Sequence, residues 1–121
     1  MTVLLAIATY EGFNKTGSRA QRNNNPGNID YSAITKRYGA VLETVPAGFD
    51  EPARFAYFST SELGFACLRE LLTQYYKGMT LIAAFNKYAP SSENNSNAYA
   101  EFVCKETGLT FDSILTAENI G

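Results

Sequence analysis

The sequence predicts an α+β domain that is mostly helical, with a small irregular β element after the first helix. Three observations carry this expectation. From residue 59 onward the apolar residues recur at helical spacing between clear start and stop signals. Residues 14–30 have neither a helical nor a strand period and are rich in Asn, Gly and Pro. Between 41 and 58, two short strand-like runs are separated by Pro46, Gly48 and Pro52. The 121 residues fit one domain, 1–121, large enough to bury a core without staples. With 45% apolar and 18% charged residues, the chain is neither a disordered nor a membrane composition.

Taken in order, Thr2 can cap a first helix over 3–11, with Val3, Leu4, Ile7 and Tyr10 near one face and Gly12 to end it. Residues 14–30 read as a structured loop. Residues 31–58 are ambiguous. A short helix at 32–38 and an irregular hairpin from 41–45 and 54–58 fit them. Ser59 and Glu62 match a capping box. The helix that follows, 61–77, is apolar apart from a stripe through Arg69, Thr73 and Lys77, with Glu70 and Gln74 beside it, as expected of a central helix. Gly78 ends it. Thr80 caps a helix over 81–88, which Pro90 stops. A polar loop over 91–97 leads to a helix over 97–107 closed by Gly108, and a short last helix fits 111–116.

Composition narrows the chemistry. Histidine is absent. That excludes Ser-His and Cys-His nucleophile pairs and His-ligated zinc within this chain. Cys67 and Cys104 are too few for a disulfide framework or a four-cysteine metal site, and their apolar settings suit buried small hydrophobes. The net charge of −2 lacks the basic footprint of a nucleic-acid binder. The apolar run 3–8 is too short to span a bilayer, and no secretory signal is read, so the chain is expected to start in a cytoplasm. Two tripeptides, Asn14-Lys15-Thr16 and Asn94-Asn95-Ser96, match the glycosylation pattern, which is common by chance. The charge is uneven. Residues 1–40 hold five basic residues against Glu11 and Asp30, whereas 41–121 hold five basic against ten acidic. Surface scatter and a positive region for an anionic substrate are both open readings.

Glu11 stands out beside Gly12 at the end of an apolar helix. The free carbonyls there, and partial burial beside Tyr10 and Phe13, would favour its protonated form, which a general acid needs. Arg19 or Arg22 reaching it would act in the opposite direction, and a solvated Glu at a helix end is the plainer alternative. The run Asn23-Asn24-Asn25-Pro26-Gly27-Asn28 offers amides that can donate to and accept from a sugar. It is read equally well as a loop held by its own Asx-turns.

Glu11-Gly12-Phe13 followed by residues 18–29 resembles the opening of phage and prophage lysozyme-like proteins, related to the family 23 lytic transglycosylases and goose-type lysozymes. Phe55-Ala56-Tyr57-Phe58 with Gly64 and Ala66, the run 81–86, Tyr88-Ala89-Pro90 with Glu93-Asn94-Asn95, and Tyr99 with Val103 are similar to later elements of those proteins. The resemblance spans roughly residues 3–108 and is most specific at the Asn run. The chain lacks the Glu-Ser pair and the Gly-Leu-Met-Gln run of the better-known transglycosylases.

What the resemblance implies is a lysozyme-like fold and cleavage of peptidoglycan glycan strands between N-acetylmuramic acid and N-acetylglucosamine. Glu11 would be the catalytic acid, and Asn25, Gly27, Asn28, Asn86 and Tyr99 would hold substrate. Phe85 and Tyr88 would be core or an apolar wall against a sugar. A single-glutamate transglycosylase needs no metal or organic cofactor. A two-carboxylate hydrolase would need a partner about 5–9.5 Å away, for which Asp30 and Glu43 are the candidates. The expected protein is a monomer, an endolysin or virion-associated lysin acting on the bacterial wall. The competing expectation is a catalytically silent glycan-binding or structural module of the same fold, and a wall-cleaving toxin would share the chemistry.

Overall fold

A computed structural model describes residues 1–90 and 95–121. Residues 91–94, which include the start of the expected polar loop and Glu93 and Asn94 of the motifs above, lie outside the described residues. The fold is mainly helical with one small antiparallel sheet. The chain divides into two compact units: Met1–Tyr10 with Arg69–Gly121, and Glu11–Leu68.

In the first unit, α1 is Val3–Tyr10. Thr2 caps it by accepting from the Leu5 N–H at 3.3 Å. Val3, Leu4, Ala6, Ile7 and Ala8 are buried, so α1 is enclosed along most of its length. α5 (Leu81–Tyr88) is capped by Thr80, whose hydroxyl accepts from Ala83, and α6 (Ser96–Thr107) by Asn95, which accepts from Ala98. Gly108 ends α6 with φ +80, a left-handed stop that costs glycine nothing. Tyr99 of α6 sits at the centre of a ring cluster. Its ring stacks on Tyr10 at 3.9 Å and lies 4.9 Å from Phe85.

The expected helix over 111–116 is not formed. The backbone there runs alongside residues 78–81 instead. Leu81 donates to Ser113, Gly78 donates to Leu115, and Leu115 donates to Met79. The last helix, α7, comes later, at Ala117–Ile120, capped by Thr116.

In the second unit, Glu11 is followed by a turn through Gly12, which has φ +83. The stretch expected to lack helix contains α2 (Arg19–Arg22), one turn capped by Ser18. α3 (Ala33–Lys36) matches the short helix expected at 32–38. The hairpin is smaller than expected. β1 (Val41–Leu42) pairs antiparallel with β2 (Ala56–Tyr57), Val41 opposite Tyr57 and Leu42 opposite Ala56.

The helix α4 (Ser61–Tyr75) runs from one unit into the other. Its cap is Thr60, whose hydroxyl accepts from Leu63 at 3.2 Å. The cap expected at Ser59 sits one residue later, and with Leu63 at the third helical position it forms no box. Within α4, Gly64 lies directly beneath the Asn loop. A Cβ there would come within 2.0 Å of the Asn24 carbonyl oxygen and 2.8 Å of Pro26 Cδ. Cys67 is buried and Cys104 half-buried, and neither forms a disulfide. Among the described residues no helix is long and apolar enough to cross a membrane.

Candidate active site

Glu11 is the first residue after α1, half-buried. Its Oε1 accepts from Asn28 Nδ2 at 2.9 Å, so the sequence-nominated acid and the last Asn of the loop meet directly. Asn28 has φ +46, a left-handed conformation that Asn tolerates better than other side-chain-bearing residues. Its other amide atom, Oδ1, is buried and has no hydrogen-bond partner among the described residues. A buried acceptor left in this state is unusual and costly, and a strained, catalytic or ligand-binding role is among the reasons a protein keeps one.

The remaining Asn residues serve the scaffold. Asn25 was nominated as a substrate contact, but its amide is spent internally. Nδ2 donates to the Ile29 and Ala56 carbonyls at 3.0 and 2.9 Å, and Oδ1 accepts from Ile29 N–H at 2.9 Å, with no part of the residue exposed. Asn24, at φ +50, donates to the Phe58 carbonyl, and Phe58 N–H donates back to the Asn23 carbonyl. The loop is thereby fastened to Ala56 and Phe58, 31 and 34 positions away, where the alternative read from the sequence was a loop held by its own Asx-turns. Gly27 is buried within it.

The two candidate second carboxylates occupy different settings. Glu43 has a side chain only 1% exposed. Arg19 grips both its oxygens, Nε to Oε1 at 2.9 Å and Nη2 to Oε2 at 2.6 Å. Asn23 Nδ2 adds a bond to Oε1, and the Arg54 and Phe55 backbone N–H groups donate to Oε2 at 2.9 and 2.7 Å. Burial opposes ionisation, but the Arg19 bond, the two backbone amides and Asn23 together outweigh it, holding the carboxyl down at about 2. A carboxylate accepting five bonds has no lone pair to spare for a sugar or a water, so Glu43, expected as a possible second carboxylate, is instead a scaffold anchor. Asp30 is 57% exposed and pairs with Arg54 at 2.8 Å.

Arg19 also pairs with Glu51 and lies 4.4 Å from the centre of the Phe55 ring. Its charge is therefore engaged at the hairpin, as is that of Arg54. This hub was not singled out from the sequence. Its one local signal is an acid at 43 inside an apolar strand-like run.

The other nominated residues belong to the first unit. Asn86 is exposed and its Oδ1 accepts from the Ser96 hydroxyl at 2.9 Å. Tyr99 is 0% exposed, so its ring is core and does not face an open surface. Phe85 is likewise core, and Tyr88 packs edge-on against both Phe85 and Tyr76.

No family model matches the chain, and no curated protein or solved structure matches it significantly.

Proposed function

We propose that the protein cleaves peptidoglycan glycan strands between N-acetylmuramic acid and N-acetylglucosamine, on a lysozyme-like fold and by the lytic transglycosylase route. The observation that carries this reading is the Glu11–Asn28 pair, a carboxyl at a helix end held by an amide whose second polar atom is unused. Glu11 would protonate the glycosidic oxygen as its bond to the muramyl C1 breaks. The resulting carboxylate would then take the proton from the muramyl 6-hydroxyl, whose oxygen closes on C1 to give the anhydro end. The proton given to the leaving sugar is thus recovered from the 6-hydroxyl, and no water is consumed. One carboxyl suffices for both steps.

The fate of the other two carboxylates supports the single-glutamate route over the hydrolytic one. Glu43 is saturated, and Asp30 is exposed and engaged by Arg54. A two-carboxylate hydrolase needs a second group free to act on C1 or on water.

The test is clearing of purified cell walls by Glu11→Gln, with the fold checked by circular dichroism. A general acid contributes about 10²–10⁴-fold, so clearing should fall by at least roughly 100-fold while wall binding persists. Clearing at the unsubstituted rate would overturn the assignment, and so would an intact protein that binds walls without cleaving them, the behaviour of a silent module. Mass spectrometry of the released fragments separates the routes: anhydromuramyl ends support the transglycosylase, and reducing ends exclude it as the main path.

A further inference from the structure

The hairpin leaves a groove along β1. A depression of about 320 Å³ is lined by the apolar Val41, Leu42, Pro46 and Tyr57 and by the polar Arg22, Asn23 and Thr44. Val41, Leu42 and Tyr57, which line it, are exposed apolar side chains.

The backbone on this side is open as well. Val41 pairs with Tyr57, and Glu43 N–H donates to the Phe55 carbonyl. Antiparallel ladders alternate, so 41 and 43 face β2 while the Leu42 N–H and C=O point away from it. The far edge of β2 is covered, since Ala56 N–H donates to the Ile29 carbonyl. The β1 edge therefore offers one outward donor and one outward acceptor at the groove.

Arg22 supplies the charge. Its guanidinium donates to the Gly17 carbonyl at 3.0 Å and lies 5.7 Å from the Phe49 ring centre. No carboxylate pairs with it or lines the groove among the described residues, in contrast to Arg19 and Arg54.

We infer that this groove binds the peptide stem of the wall polymer, with the stem's main chain against the Leu42 edge and a stem carboxylate on Arg22. The inference rests on the peptidoglycan reading above and adds a second substrate feature to it. A two-residue ladder spans about 7 Å, which suits a short peptide. Neutral sugar rings bring hydroxyls but no carboxylate for Arg22. A second copy of the chain would bring another Arg22 to the same edge, so like charge opposes pairing there.

The experiment titrates isotopically labelled Glu11→Gln protein with a synthetic stem tripeptide of L-Ala, γ-linked D-Glu and L-Lys, following backbone amides by NMR. The expected result is shifts centred on Leu42 and Thr44. Arg22→Gln should weaken binding by about tenfold, the usual cost of losing a hydrogen bond to a charged group. A tripeptide with its D-Glu α-carboxyl amidated should lose a similar factor on the unaltered groove, which keeps the test independent of how the Arg22 variant folds. Absence of shifts at Leu42 and Thr44 overturns the inference. So do shifts there from chitotetraose alone, or concentration-dependent dimer formation that protects the Leu42 amide. Wall clearing with anhydro products but no peptide binding sinks this inference and leaves the enzymatic reading standing. Peptide binding without clearing does the reverse.

Discussion

Replacing Glu43 by Gln tests the hub that anchors the hairpin. The carboxylate is almost fully enclosed and accepts five hydrogen bonds, two of them from one guanidinium. Gln keeps the shape but sets an NH2 against a site built wholly of donors and leaves Arg19 partly unpaired. Removing one partner of such a buried pair costs about 3–5 kcal/mol. The charge also makes stability depend on pH. A carboxyl whose pKa falls from 4.5 to about 2 on folding favours the folded state by roughly 3 kcal/mol at neutral pH, at 1.36 kcal/mol per pH unit. Above about pH 4.5 both states are ionised and this stabilisation is complete. As pH falls toward 2 the unfolded chain takes up the proton first, so stability declines through that window and the contribution is gone below it. Urea unfolding followed by far-ultraviolet circular dichroism at pH 7, 4.5 and 3 measures both effects. The unsubstituted protein should lose stability below pH 4.5 more steeply than Glu43→Gln. A cost under about 1 kcal/mol at pH 7, or identical acid slopes for the two proteins, would refute the reasoning.

Other substitutions probe the loop. Gly64→Ala should destabilise by about 1–3 kcal/mol in urea unfolding, because its Cβ would meet backbone rather than a yielding side chain. Asn25→Ala should lower the urea midpoint further, since it leaves the Ile29 N–H and the Ala56 carbonyl without the amide that satisfies them, at about 1–3 kcal/mol for each group left unpaired, while the Ile29 carbonyl keeps its bond from Ala56. Asn28→Gly keeps the left-handed backbone but removes the bond to Glu11. It should fold normally by circular dichroism and lose wall clearing, and Asn28→Ala should lose clearing and also about 1 kcal/mol of stability.

What the sequence revealed follows from how local each signal is. The helix over 81–88 was legible to the residue because Thr80 and Pro90 mark its ends within a few positions. α2 was invisible because four residues are too few to display a period. The last helix was misplaced because residues 113–115 pair with 78–81, more than 30 positions away. The same division applies to the site. Glu11 could be nominated from its place beside Gly12, and Asn28 from the composition of its loop. Which Asn would reach Glu11 depended on distant partners at Glu43, Ala56 and Phe58, and the roles of Arg19 and Glu43 depended on Glu51, Arg54 and Phe55. Tyr99 shows the limit of nomination by motif: an aromatic at helical spacing suits a core as well as a cleft, and three neighbouring rings make it core.

The four Asn residues divide one task. Asn23 holds Glu43, Asn24 holds Phe58, and Asn25 holds Ile29 and Ala56. Each ties the loop that leads to residue 28 to the hairpin region. Asn28 then spends its donor on Glu11. The proposed acid is therefore tied to the hairpin through Asn28. This makes the hairpin and Glu11 energetically coupled. A double-mutant cycle between Asn25→Ala and Asn28→Gly, read in wall clearing, should be non-additive, because a loosened loop has already lost the bond that the second substitution removes. Additive losses would mean that Asn28 finds Glu11 without the staples, and that the Asn run serves stability alone.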